Sequence, residues 1–277
     1  MEQKKIYRSI APIGVMLIIL FVTACSAPAL LSPTQTQTTN TQVPSATSTG
    51  IAREPSATSV TGAALCANAY YPVRQGATWT YQSTGGPAGE YGFTDTITSV
   101  RDDGFTLSTQ IGDLTRTQEW TCKPEGLVAL QLGGAPAAML NSQNIQLNLD
   151  AKDSTGITFP SQMNAGDGWQ QTVNVEGDVS MGNDGGKATG TAQMDFNALG
   201  TESVSVPAGT FEAMKVKVDT TLNVDVAYGA LSMPVTFSGT YTYWFVQDVG
   251  WVKASGTGNL FGASFSETTE LQSYQVP

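Results

Sequence analysis

The sequence predicts an all-β fold: a single large antiparallel meander curled into a part-barrel or a barrel-like sandwich. Three observations carry this expectation. Apolar residues recur at every second position over long stretches, most clearly where Met214, Val216, Val218, Leu222, Val224 and Val226 alternate with Lys215, Lys217, Asp219, Asn223 and Asp225. That period of two places one dry and one wet face on a strand. Charged residues make up only 13% of the chain, while Thr, Val and aromatic residues abound, a composition suited to pleated, half-buried surfaces. No stretch after the first leader-like segment carries a convincing helical period over ten or more residues.

Taken in order, the body of the chain from Cys66 to Pro277 reads as strands separated by turn signals. Gly85-Gly86-Pro87, Asp102-Asp103-Gly104 and Asn183-Asp184-Gly185-Gly186 favour antiparallel hairpins. Shorter alternating runs are Ile145, Leu147 and Leu149; Val173, Val175 and Val179; and Met194, Phe196 and Ala198. About ten to twelve strands of this length cannot stay flat, because twist rolls them up. One stretch does not alternate. Leu127 to Leu140 is apolar and rich in small residues, and reads as a loop or single turn lying over an open end of the sheet, with Leu127, Met139 and Leu140 as lid or ligand contacts.

Two parts of this body share an order of landmarks. Gly76 and Trp79, then Trp120 and Gly126, are echoed by Gly166 and Trp169, then Trp244 and Gly250, with both spacings conserved between the copies. The echo divides residues 66–277 into candidate half-repeats at 66–140 and 150–277. The tryptophans are expected in a shared core rather than on a ligand platform.

Ahead of the body, Lys4, Lys5 and Arg8 precede an uncharged apolar run from Ile10 to Val22, too short for a comfortable membrane span. The run ends in Val22-Thr23-Ala24-Cys25, which resembles the lipobox of bacterial lipoproteins. The resemblance implies removal of residues 1–24, acylation of Cys25, and an extracytoplasmic protein held to the membrane of the cell envelope by its acyl chains. Residues 25–65 are rich in Thr, Ser and Pro and poor in aromatics, so they are expected to act as a disordered tether. With Cys25 assigned to lipid, Cys66 and Cys122 remain, and export makes a disulfide between them the expected state.

A second resemblance lies in Val206-Pro207-Ala208-Gly209-Thr210-Phe211, Tyr243-Trp244-Phe245 and Val249-Gly250-Trp251-Val252. This set resembles exported bacterial β-proteins that are similar in turn to Lol-type incomplete-barrel lipoprotein carriers. It implies a curved sheet able to take up a hydrophobic ligand.

Chemistry is narrowed by what the chain lacks. There is no histidine, so a Ser-His-Asp triad is excluded together with the commonest metal ligand. Neither phosphate-cradling glycine motif is present, and no cofactor is expected. A net charge of −10 without a basic cluster argues against nucleic acid as partner. Asp178 to Lys187 is acidic and Gly-rich but lacks the order of a calcium loop, and reads as a hairpin turn. Carboxylate pairs for a hydrolase could be drawn from Asp102 with Asp103, Asp113 with Glu119, or Asp248 beside Trp244. The expectation is a non-enzymatic lipoprotein that binds a hydrophobic ligand; the alternative is a structural or interaction module of the envelope. Mass spectrometry of the mature protein should find residues 1–24 removed and acyl mass on Cys25; an intact leader with a free thiol at that position would refute the anchor.

Overall fold

A computed structural model of the chain describes residues 65–131, 145–181, 184–228, 231–260 and 262–277. The leader, Cys25 and the tether lie outside them, as do Met139 and Leu140. Among the described residues there is no helix. The strands are β1 (Thr78–Gly85), β2 (Tyr91–Val100), β3 (Gly104–Ile111), β4 (Leu114–Lys123), β5 (Gly126–Ala129), β6 (Ile145–Gly156), β7 (Phe159–Pro160), β8 (Gly168–Met181), β9 (Asp184–Val206), β10 (Gly209–Tyr228), β11 (Leu231–Val246), β12 (Gly250–Leu260) and β13 (Ala263–Gln275).

All thirteen belong to one antiparallel sheet, ordered β6-β8-β9-β10-β11-β12-β13-β1-β2-β3-β4-β5-β7. Its two edges, β6 and β7, are neighbouring parts of one stretch of chain. That stretch pairs with β8 on one side, while Gly126 and Leu127 of β5 pair with Pro160 and Phe159 on the other. Gln131 bridges Asp150, and Ala151 donates its N–H to the Leu130 carbonyl at 3.2 Å. The sheet therefore curls into a half-barrel whose edges are tied along residues 145–160. At this seam only glycine fits position 126, since a Cβ there would collide with the Phe159 carbonyl oxygen, and its φ of 151° lies in the region that favours glycine.

The alternating run in β10 buries Val216, Val218, Leu222, Val224 and Val226 and turns its lysines and acids outward. One change of register lies between β11 and β12. Trp244 pairs with Lys253 and Phe245 with Trp251, so Val252 is an extra residue in β12. The bulge reverses the alternation around it: Trp251 and Ala254 both face inward, and Lys253 outward. Comparable shifts interrupt the pairings of β1 with β13, β2 with β3, β6 with β8, and β9 with β10. Each one sharpens the local twist, which is what a sheet needs in order to curl.

Two apolar clusters form inside. The larger gathers Trp79, Phe105, Trp120, Val216, Phe245 and Leu271. The smaller occupies the far ends of the long strands with Val175, Val179, Val224, Val226 and Val235. Cys66 and Cys122 form a disulfide at a Cα–Cα separation of 5.0 Å, buried within the larger cluster. The segment expected to be a loop is corrected in part: Gly126–Ala129 is a fully buried strand. Leu127 is 1% exposed and pairs with Cys122 and Phe159, because a short interior strand is dry on both faces and cannot alternate.

Hydrogen bonding repeats locally between the two candidate halves. Gly76 donates to the Ile97 carbonyl at 2.8 Å, and Gly166 donates to the Ala198 carbonyl at the same distance. Farther along they diverge, since Trp120 is buried whereas Trp244 stands on the outer face between Lys215 and Lys253.

Replacing Cys66 and Cys122 together by serine should lower the unfolding free energy by about 4 kcal/mol, because the bond closes a separation of 56 residues. Denaturant titration of the variant against the parent measures the difference.

Candidate functional site

Between the two clusters the sheet leaves a cavity of ≈ 330 Å³. Every strand except β1 and β6 contributes to its wall. Aliphatic residues such as Val173, Val218 and Leu222 meet aromatic ones such as Trp120, Phe237 and Trp251. Trp251 is held flat against Tyr81, with ring centres 3.8 Å apart and planes within 7°, and its backbone carbonyl accepts from the Tyr81 hydroxyl at 3.0 Å. Gly256 makes room for a second wall residue, since a Cβ there would lie 2.7 Å from Tyr241 Cδ1.

Three of the polar groups that enter this wall are Gln171, Asp95 and Glu267. At the seam, Gln171 is completely buried yet satisfied: its amide nitrogen donates to the Ala129 carbonyl at 3.2 Å, and its oxygen accepts from Thr158 Oγ1 at 2.7 Å. The Ala129 N–H in turn donates to Thr158 Oγ1 at 2.8 Å. The second group is Asp95, on β2. Its Oδ1 accepts from Thr109 Oγ1 at 2.5 Å, and its carboxyl faces the cavity. Burial penalises the charged form and pushes its pKa up from 3.8 to about 6, the Thr109 hydrogen bond opposing the rise.

The third is Glu267, on β13, which is 4% exposed. Its Oε1 accepts from Ser83 Oγ at 2.6 Å and from Tyr91 OH at 2.9 Å. Three phenols of the same wall register its presence. Burial and then the Glu267 carboxylate push Tyr243 up to about 12, and the same two causes carry Tyr91 and Tyr241 well above the ordinary phenol range. No lysine or arginine lines the cavity among the described residues.

The acids singled out from sequence lie elsewhere. Asp102 and Asp103 sit on an exposed turn, and Asp113 is exposed in the next one. Glu119 pairs with Arg101 at 2.6 Å on the surface. Asp248 is exposed in the turn after β11, at φ 59°. Asp178 and Lys187 form a surface ion pair at 2.6 Å across the β8–β9 hairpin. Leu127 belongs to the core and does not reach the cavity. Among the described residues no cluster of His, Cys, Asp and Glu is arranged to hold a metal.

Asp95 and Glu267 were missed because acids were read as marks of the wet face. A signal did exist: Asp95 is two positions from Ile97, and Glu267 four from Leu271, so each shares a face with a fully buried residue.

Residues 117–268 match the model of the DUF3108-like family. The chain belongs to the DUF3108-like family. Its matched part runs from β4 into β13 and includes Glu267, but not Asp95, Thr109 or Tyr91. Two solved structures are similar to this DUF3108-like chain. One is a protein of Bacteroides fragilis NCTC 9343 with a YmcC-like fold, taken to be exported: 16% identity, TM-score 0.46, covering 76% of this chain and 100% of that one. The other, from Parabacteroides distasonis ATCC 8503, is taken to be a lipoprotein: 14% identity, TM-score 0.41, covering 76% and 99%. No curated protein matches.

The Asp95 shift fixes the sign of a pH effect. Because the folded state holds this proton more tightly than the unfolded chain, the associated stability is complete below pH 4 and lost as pH rises through about 6. Asp95→Asn keeps an acceptor for Thr109 and removes the charge. It should be more stable than the parent at pH 7 by roughly 1–3 kcal/mol, with the gap closing near pH 4, as read from thermal unfolding at the two pH values.

Proposed function

We propose that this protein is a lipid-anchored component of the bacterial cell envelope that holds a hydrophobic ligand inside its curled sheet and catalyses no reaction. The hollow interior carries this reading. A module needing only rigidity gains by filling its centre, since protein interiors ordinarily pack to the density of organic crystals. Here an apolar, aromatic-walled space of ≈ 330 Å³ persists, within the size range of small-molecule sites.

The anchor supports the same reading from the sequence. Acylation of Cys25 would keep the domain beside a membrane, where greasy ligands are concentrated, and the strand–turn–strand segment around Val206-Pro207-Ala208-Gly209 resembles those of lipoprotein carriers. The disulfide is in keeping with an oxidising compartment.

A second reading draws on Asp95 and Glu267 in one cavity, the first raised to about 6, as the acid and base of a hydrolase. Binding accounts better for the rest of the wall, which is mainly aliphatic and aromatic. The two acids are also bound to different neighbours, Thr109 for one and Ser83 with Tyr91 for the other.

Ala192 gives the test. It lies in β9, 1% exposed, and lines the cavity. Native mass spectrometry after gentle extraction should find ligand mass on the parent protein and none on Ala192→Trp, whose indole would occupy the space. Parent protein that carries no ligand, or a variant that retains it, would count against the proposal.

A further inference from the structure

Glu267 is held in a way that leaves half of its carboxylate unanswered. Ser83 and Tyr91 both donate to Oε1, and Thr269 Oγ1 stands behind them, 3.1 Å from Ser83 Oγ. Oε2 is buried and has no hydrogen-bond partner. A carboxylate removed from water is normally paired with a cation or fully hydrogen-bonded, because the uncompensated group is costly. Among the described residues Glu267 enters no ion pair. The pairs that exist lie at the surface: Lys253 with Glu270, for example, and Lys215 with Glu202 on the outer face.

Arg116 does not fill the role. It stands opposite Thr109 in the register row of Asp95, whereas Glu267 lies opposite Gly85 and Gly256. Beyond the hydroxyls of Ser83 and Thr269, Glu267 has aromatic neighbours. Tyr91 touches it directly, and Tyr241 and Tyr243 share its stretch of wall. A carboxylate with one unpartnered oxygen, in a mostly apolar hollow also lined by Tyr91, Tyr241 and Tyr243, is suited to an organic ammonium group by charge and by cation–π attraction.

We propose that this corner receives the ammonium head of a long-chain amine, the Glu267 carboxylate turning from its enclosed position so that Oε2 accepts the N–H, while the hydrocarbon tail lies along the apolar wall. The assignment rests on the cavity reading above and narrows it. Anionic amphiphiles such as fatty acids are disfavoured, since two carboxylates and no cationic side chain line the space among the described residues.

Decylamine, decanol and decanoate separate the head from the tail. Trp120 and Trp251 line the cavity, so tryptophan fluorescence of the full chain reports occupancy at pH 7. Decylamine should bind at least about tenfold more tightly than decanol, the order expected of one charge-assisted hydrogen bond, and decanoate more weakly than either. Glu267→Gln should bring decylamine to within about threefold of decanol and leave decanol unchanged. If decanol binds but the amine holds no advantage, or if the advantage survives Glu267→Gln, the head-group assignment is overturned and the hydrophobic cavity stands. Should none of the three bind, the cavity reading falls with it. Where the variant does not unfold cooperatively, the ranking of the three probes on the parent protein decides.

Discussion

Everything in this molecule depends on two edges of one sheet being tied by a single stretch of chain. The strands are long and amphipathic, and no helix among the described residues covers their dry face. Such a face can be buried only against itself, so the sheet must curl until its edges approach. Residues 145–160 lie between those edges, hydrogen-bonded to β8 on one side and to β5 on the other. The joint is held by polar groups that leave nothing unsatisfied: the Gln171 amide, the Thr158 hydroxyl and the Ala129 backbone bind one another in a closed set. Inside a low-dielectric wall each of these bonds is strong, and each would be costly to leave unmade. An open edge, by contrast, would expose unpaired backbone to neighbouring chains.

Closure determines the shape, and bulges determine what faces in. In an uninterrupted strand the side chains keep strict parity, so a single extra residue exchanges the two faces beyond it. The extra Val252 shows the consequence. On one side of it Trp251 turns inward onto Tyr81 and forms part of the cavity wall. On the other, Lys253 turns outward, where it pairs with Glu270 and lies 6.0 Å from the ring of Trp244. Two tryptophans seven positions apart therefore meet opposite environments. One lines the cavity; the other braces the outer surface, its indole N–H donating to Glu202 at 2.6 Å.

How much of this could be read in the chain follows from the same parity. The long strands were legible because each carries many alternating positions, as Met214 to Val226 does, and the turn glycines mark their ends. Cys66 and Cys122 were legible as a pair for reasons of compartment and number. Gly126 to Ala129 was not, since four buried residues cannot show a period, and an interior strand then looks like any small-residue loop. The closing seam was invisible: Gln171 and Thr158 are ordinary polar residues until the fold brings Ala129 between them. Asp95 and Glu267 were the consequential omissions. Their parity with Ile97 and Leu271 was written in the sequence, but a rule that assigns acids to water overrides it unless the face is counted residue by residue.

Two acids inside an apolar hollow also bear on why the hollow exists. Stability alone favours filling the space with aliphatic side chains, and replacing buried ionisable groups by well-packed apolar ones is often neutral or stabilising. This protein does neither. It keeps Asp95 where burial raises its pKa to about 6, and it aims one oxygen of Glu267 at no partner. Both costs fall on the cavity wall of a fold whose seam and disulfide are otherwise satisfied. A partner bound on the outer face would leave these interior costs unexplained, so they favour the proposed reading in which a guest occupies the cavity.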